Sequence, residues 1–249
     1  MVALTGAGIS VPSGIPDFRS PGTGLWENVD PMEVAHIEAW RADPQRFWRF
    51  YGTRFQTLRD KRPNRAHAAL VELERRGRLD AVVTQNIDML HRRAGTRTLV
   101  EVHGSIATSS CPACGARYEL DDVCARMAVA PATRLGNGAG VPSCDCGAPL
   151  KPDVVLFGEW LPERALEHAH ALAAQAHVLL CIGSSLAVHP IAQLPAITRR
   201  AGGAVAIVTQ GETDWDAYAT VRLWGDVEAE LDALVAALDA EPEGQRRGR

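Results

Sequence analysis

The sequence predicts an α/β fold: a parallel sheet with helices on both faces, joined to a small module made of a helical insertion and a zinc-binding insertion. Three observations carry that expectation. Short apolar runs each end in a Gly-rich or polar turn, stretches with helical spacing separate them, and two segments, 26–62 and 107–150, break the alternation. Apolar runs alternating with helices read as βα units around a buried sheet. In such folds the ligand cleft lies at the carboxyl ends of the strands.

The elements follow in chain order. Val2 to Leu4 leads into Thr5, Gly6, Ala7 and Gly8. Residues 26–62 are aromatic and helix-like, with Phe47, Trp48, Phe50, Tyr51, Phe55 and Leu58. Asn64 to Arg76 places Ala66, Leu70 and Leu73 at helical spacing. Ala81 to Val83 leads into Thr84, Gln85, Asn86, Ile87 and Asp88, and Leu99 to Val102 into His103 and Gly104. Segment 107–150 holds clustered cysteines with many Gly and Pro residues. The helical stretch 163–176 precedes Val178 to Ile182, which leads into Gly183, Ser184 and Ser185. Ala204 to Val208 leads into Thr209, Gln210 and Gly211, and 227–238 is again helical. The expectation is one domain over 1–249, with the sheet part at about 1–25, 63–106 and 151–240. The polar tail 241–249 reads as disordered.

Composition narrows the function classes. With 249 residues and 46% apolar content the chain can bury a substantial core. A net charge of −4 offers no basic excess for nucleic acid. No run of about 18 apolar residues marks a membrane span, and the N-terminus lacks the pattern of a signal peptide. A cytoplasmic location and a monomeric or weakly oligomeric state are therefore expected.

The turn at Gly6, Ala7 and Gly8 follows a strand, where backbone amides and a helix N-terminus can approach a pyrophosphate. The dinucleotide fingerprint wants a third glycine where this chain has Val11. A tight turn needing positive φ is the alternative. Cys111 and Cys114 form a C-x2-C pair, and Cys144 and Cys146 a C-x-C pair. Four thiolates can close a tetrahedral zinc site with no open position, a structural site. The second pair is one residue shorter than usual, so its turn must be tighter. A metal-free knuckle is the alternative. Cys124 and Cys181 read as small core residues. Among the histidines, His67, His91, His168, His170 and His177 have packing or surface readings. His103 ends a strand and precedes a glycine, a position that suits a general base near neutrality.

Taken together, these strings resemble the sirtuin signatures. Gly6 through Arg19 resembles the opening signature, Thr84 through Asp88 the second, His103 with Gly104 the third, and Gly183 through Ser185 the fourth. The resemblance implies a Rossmann-like sheet and NAD-dependent removal of acyl groups from protein lysines, with NAD as co-substrate and one structural zinc. It implies attack of the acyl-lysine carbonyl oxygen on C1′ of the nicotinamide ribose, with His103 as general base on a ribose hydroxyl. Nicotinamide, O-acyl-ADP-ribose and free lysine result. By the same resemblance Asn86 orients ribose or water, Asp88 holds the nicotinamide carboxamide, and Gln85 holds the ribose. Arg19 contacts phosphate or orders its loop, and Phe18 shields C1′. The cofactor set also takes in Gly6, Ala7, Gly8, Val11, Asp17, Ile87, Gly183, Ser184, Ser185, Thr209, Gln210, Asp226 and Val227. Thr209 departs from the Asn usual in sirtuins. For Asn86 and Asp88 helix capping is the plainer alternative.

In sirtuins the peptide lies as an added strand between two loops, here 154–159 and 187–190, which implicates Val155, Phe157, Gly158 and Val188. Ala35, Tyr51 and Arg54 match the pattern of the desuccinylase branch. Arg54 could take a carboxylate in bidentate fashion, and a small residue at 35 would leave room for a longer acyl chain. Tyr51 also belongs to an aromatic core stripe, and Asp17 stands where that branch usually has Thr. The rival readings are a mono-ADP-ribosyltransferase and a non-catalytic NAD or ADP-ribose sensor. A dehydrogenase is disfavoured by Val11.

Overall fold

The structure is a computed structural model that describes residues 1–17, 22, 29–129 and 140–239. The chain runs β1 (Val2–Thr5), α1 (Pro31–Val34), α2 (Ile37–Ala42), α3 (Pro44–Asp60), α4 (Arg65–Arg75), β2 (Ala81–Thr84), α5 (Leu90–Ala94) and β3 (Leu99–Glu101). It continues through β4 (Gly104–Ser110), β5 (Arg117–Glu119), α6 (Leu120–Val129), β6 (Lys151–Val154), α7 (Glu163–Gln175) and β7 (Val178–Ile182). The last elements are α8 (Leu194–Arg200), β8 (Ala204–Val208), β9 (Val221–Leu223) and α9 (Val227–Asp239).

The main sheet has the order β3-β2-β1-β7-β8-β9, and all its pairs are parallel. Alternate residues point to opposite faces. Leu4, Val83, Leu179, Cys181, Val205 and Ile207 pack with Ala169 and Ala173 of α7 and Leu194 of α8. Ala3, Val82, Leu180 and Ile182 face the other way, onto Ala66, Leu70 and Leu73 of α4 and Val227 and Leu231 of α9. Near-continuous apolar strands are what burial on both faces requires. The chain leaves β1 toward β2 and β3 on one side, then returns to β7, β8 and β9 on the other. The strand order therefore reverses between β1 and β7, where open α/β sheets bind ligands.

A second sheet, β5-β4-β6, is antiparallel. Sequence periodicity shows neither this sheet nor β9. The β4 run GSIATSS is largely polar, and β5 and β9 are three residues long. The small sheet spans Gly104 to Val154, slightly beyond the 107–150 bounds of the sequence reading. Val102 and His103 alone join β3 of the large sheet to β4 of the small one. Gly104 has φ +72, and a Cβ there would run into the Asp153 carbonyl, so a glycine is needed to turn the chain between sheets.

The helical insertion is anchored by α3. Phe47, Trp48, Phe55 and Leu58 are buried in one cluster with Val123, Met127 and Leu150 of the cysteine-bearing segment. Trp48 Nε1 donates to the Leu150 carbonyl at 2.8 Å, so its buried N–H is satisfied. The tail 241–249 lies outside the described residues. No described helix is long and apolar enough to cross a membrane.

Candidate functional site

His103 stands at the joint of the two sheets. Its Nδ1 lies 2.9 Å from the Gln85 carbonyl oxygen. A carbonyl can only accept, so Nδ1 carries the proton and Nε2 keeps its lone pair. Burial pushes the imidazole pKa below its ordinary value, and the Gln85 contact opposes that shift. His103 is thus held as a neutral imidazole with a fixed tautomer, the state a general base needs.

The β2 turn and the β1 turn meet beside it. Asn86 Nδ2 donates to the Gly6 carbonyl at 3.0 Å and to Ser10 Oγ at 3.2 Å. Ser10 Oγ donates to Asp88 Oδ2 at 2.6 Å. Asp88 Oδ1 accepts from the Leu90 amide, the first of α5, but the N-cap is Met89 and α5 has no side-chain cap, so Asp88 is not its capping residue. Asn86 caps nothing, because its side chain points back to the β1 turn. Burial raises the Asp88 pKa, and the Ser10 hydroxyl is the leading influence against that rise. Ser10 is a central member of this network that sequence reading missed. A serine inside an apolar-looking turn carries no periodic signal.

A polar floor supports the turn. Thr5 and Thr84, which the sequence places in turns, end their strands with side chains 0% and 2% exposed. Their hydroxyls bond each other at 2.8 Å, Thr5 Oγ1 lies 2.9 Å from His91 Nε2, and the Asn86 amide donates to Thr84 Oγ1. Burial is affordable for these hydroxyls because they are paired. It also pushes the His91 pKa down to about 3.

The glycines of the first turn act by close approach. Neither Gly6 nor Gly8 has positive φ, so the tight-turn alternative fails. A Cβ on Gly8 would lie 2.6 Å from Gly183 Cα. The Gly6 and Gly8 amides donate to Ile182 and Gly183 carbonyls, which locks the β1 and β7 turns together. The helix that follows, Ala7–Ser13, is a 3-10 helix containing Pro12. Val11 is exposed on it and Asp17 lies half-buried after it. Phe18 and Arg19 lie outside the described residues. Across the switch point, Ser184 Oγ accepts from Gln85 Nε2 at 2.9 Å and from the Leu186 amide at 3.2 Å, which leaves its own proton free to donate. Ser185 is exposed and Ile87 half-buried. Thr209 and Gln210 follow β8 on the same sheet end, with the Thr209 amide bonded to Leu223. Asp226 caps α9 through the Glu228 and Ala229 amides, next to buried Val227.

The expected peptide-binding segment runs along the other side of His103. The Val155 amide donates to the His103 carbonyl at 2.8 Å. Phe157 pairs with the helical insertion: its amide donates to Ala35 and its carbonyl accepts from Ile37, both at 2.9 Å. Leu156 faces the opposite way, and its amide is held by the Glu159 carboxylate, itself paired with Lys151. Both edges of 155–157 are thus partly engaged, leaving Phe157 and Gly158 exposed at the rim. Val188 is half-buried in the facing loop. Tyr51 is buried among Phe47, Phe50 and Phe55, and burial pushes its pKa up to about 12 against the charge of Arg54. Arg54 is half-buried, and desolvation lowers its pKa while the Tyr51 hydroxyl and the Asp88 carboxylate act to raise it.

The cysteine quartet converges. The sulfurs of Cys111, Cys114, Cys144 and Cys146 all lie within 4.8 Å of one another, and Cys111–Cys146 and Cys114–Cys144 are each 3.5 Å apart. Sulfurs about 2.3 Å from one tetrahedral zinc stand about 3.8 Å from each other, so the donor set and its spacing fit zinc. Both knuckles close alike despite unequal length. Gly115 donates to Cys111 and Cys111 to Ala116 in the first, and Gly147 to Cys144 and Cys144 to Ala148 in the second. Cys124 and Cys181 are buried, as expected.

A family model described as the Sir2 family matches residues 6–190. The NAD-dependent protein deacetylase of Sulfolobus acidocaldarius is 43% identical over 239 residues, covering 96% of this chain and 90% of that protein. A solved Sir2 variant with a deacetylated p53 peptide and 3'-O-acetyl ADP ribose superposes with a TM-score of 0.88 at 39% identity, covering 95% of this chain and 92% of that one. Sir2 with a p53 peptide and NAD+ gives a TM-score of 0.85 at 38% identity, with coverage of 96% and 93%. Coverage on this scale, together with the paired turns at the switch point and the fixed His103 tautomer, places the whole described fold in one family: the chain belongs to the Sir2 family.

Proposed function

We propose that this protein removes acetyl groups from lysines of protein substrates with consumption of NAD and one water, yielding nicotinamide, O-acetyl-ADP-ribose and free lysine. The observation that carries the proposal is the His103 tautomer, set by Gln85 at the joint of the two sheets. The cleft residues suit NAD: backbone-to-backbone packing of the β1 and β7 turns, the free donor of Ser184 and the buried amide of Asn86. When bound, NAD supplies a ribose C1′ activated by departure of nicotinamide. His103 Nε2 accepts the proton of a ribose hydroxyl, and Nδ1 stays bonded to Gln85 as charge develops on the ring. Asn86, tied to Gly6 and Ser10, orients the ribose side, and Asp88 holds the carboxamide end. Val155, Phe157, Gly158 and Val188 receive the peptide, and Cys111, Cys114, Cys144 and Cys146 would hold a zinc that ties their two turns together. The negative net charge gives nucleic acid no role in this reading, and a cytoplasmic monomer or weak oligomer belongs to the same proposal.

Ser10 gives a first test. Ser10→Ala removes the donor to Asp88 and one partner of Asn86. A lost hydrogen bond to a charged group costs about 1.5–3 kcal/mol, so kcat/KM for NAD should fall at least roughly 10-fold. Steady-state kinetics with saturating acetyl-peptide measures it, and an unchanged kcat/KM contradicts the assigned network.

A wider acyl range has one specific observation behind it: Arg54 is half-buried on α3, three residues from buried Tyr51, and desolvation acts on its guanidinium. A guanidinium so placed suits a carboxylate-bearing acyl group such as succinyl. Arg54→Met should cut desuccinylation of a peptide about 10–100-fold and leave deacetylation of the same peptide nearly intact. Mass spectrometry of the two reactions decides it. A wild type that removes only acetyl, or a variant that loses both activities equally, overturns this reading.

A further inference from the structure

The two halves of the cysteine quartet are built from unequal lengths of chain, and they solve the same electrostatic problem differently. Thiolates on a metal are stabilised and oriented by hydrogen-bond donors around them. In the first knuckle the amides of Ala113 and Cys114 both reach Cys111 Sγ, and the Ala116 amide reaches Cys114 Sγ. In the second, the Ala148 amide reaches Cys146 Sγ, but Cys144 Sγ receives only the Cys146 amide from its own turn. The residue absent from the C-x-C spacing is the one whose amide would have been the second donor.

Tyr118 stands in that place. Its hydroxyl is 3.2 Å from Cys144 Sγ and accepts from the Asp145 amide at 3.2 Å. With that acceptance fixed, its own proton is directed at the sulfur. The ring is buried on β5 and clamped by Arg126, whose guanidinium carbon lies 4.2 Å over the ring centroid. The same Arg126 donates to the Ser143 carbonyl and to the Asp145 carboxylate, each at 2.9 Å. Arg126 on α6, Tyr118 on β5 and the Cys144 turn therefore form one closed unit.

We infer that Tyr118 is a metal-positioning residue: its hydroxyl replaces the amide donor lost with the shortened Cys144–Cys146 knuckle, and Arg126 holds it there. This rests on reading the quartet as a zinc site. The test is zinc release from the purified full chain to a chromogenic chelator, a readout independent of deacylation. Tyr118→Phe should release zinc about 10–100-fold faster or bind it that much more weakly, as expected for loss of an outer-sphere partner. Inserting one glycine between Asp145 and Cys146 of the Tyr118→Phe chain restores the two-residue spacing and should recover most of the retention. Arg126→Ala keeps the hydroxyl but frees it, and should accelerate release by a smaller factor even if Tyr118→Phe does not fold. Wild-type release rates in both Tyr118→Phe and Arg126→Ala overturn the inference. A wild-type chain with less than about half an equivalent of zinc instead overturns the zinc reading itself.

Discussion

His103→Ala is expected to fold normally and to lose about 10²–10⁴-fold in peptide deacetylation, the range for removal of a positioned general base. The fold should survive because the imidazole makes one polar contact, to the Gln85 carbonyl, at a half-buried joint rather than in a packed core. A circular dichroism spectrum and melting transition close to wild type, beside a collapsed rate by mass spectrometry, is the expected pair of results. The pH profile adds a second check. A base works as neutral imidazole, and burial lowers the His103 pKa, so protonation sets in at lower pH than for an ordinary histidine. The acid limb of kcat/KM should therefore fall below about pH 6.5, the unperturbed value. A limb above that pH, or near-normal turnover by the variant, contradicts the assigned role.

Loss of the zinc site should have the other large effect, on folding rather than chemistry. Replacing Cys111 or Cys144 with Ser should yield poorly soluble protein with little bound zinc. A structural zinc contributes on the order of 10 kcal/mol of folding free energy to a small segment. Here the quartet ties the ends of β4 and β6 to the turns that hold β5, and its cluster is continuous with Trp48 and Phe55 of α3. Metal analysis of the wild type should give one zinc per chain. Soluble, fully active Cys144→Ser protein without zinc contradicts a structural role.

How much of this was legible in sequence depends on what kind of signal each part sends. The strands β7 and β8 are uninterrupted apolar runs because both faces of the sheet are covered, and they are read directly from composition. The cysteine quartet is equally legible, since its residue type and spacing are its chemistry. The small sheet was not, because β4 is polar along much of its length and gains its order from pairing with β5 and β6. Ser10, Thr5 and Thr84 were missed for the same reason: their roles come from partners distant in the chain, as in Ser10 with Asp88, 78 positions away. The glycine turn was legible as the end of a strand but not in its partners. Its amides are spent on Ile182 and Gly183, and the third-glycine rule does not describe a turn followed by a 3-10 helix.

The central claim is that NAD is consumed only together with an acylated lysine. Nicotinamide release is the measurement that meets it most directly, with purified protein, NAD, and one peptide in acetylated and unmodified forms. The account predicts release only with the acetylated peptide, matched mole for mole by deacetylated peptide and O-acetyl-ADP-ribose. Release at the same rate with the unmodified peptide, or ADP-ribose transferred to protein in place of that stoichiometry, would contradict it.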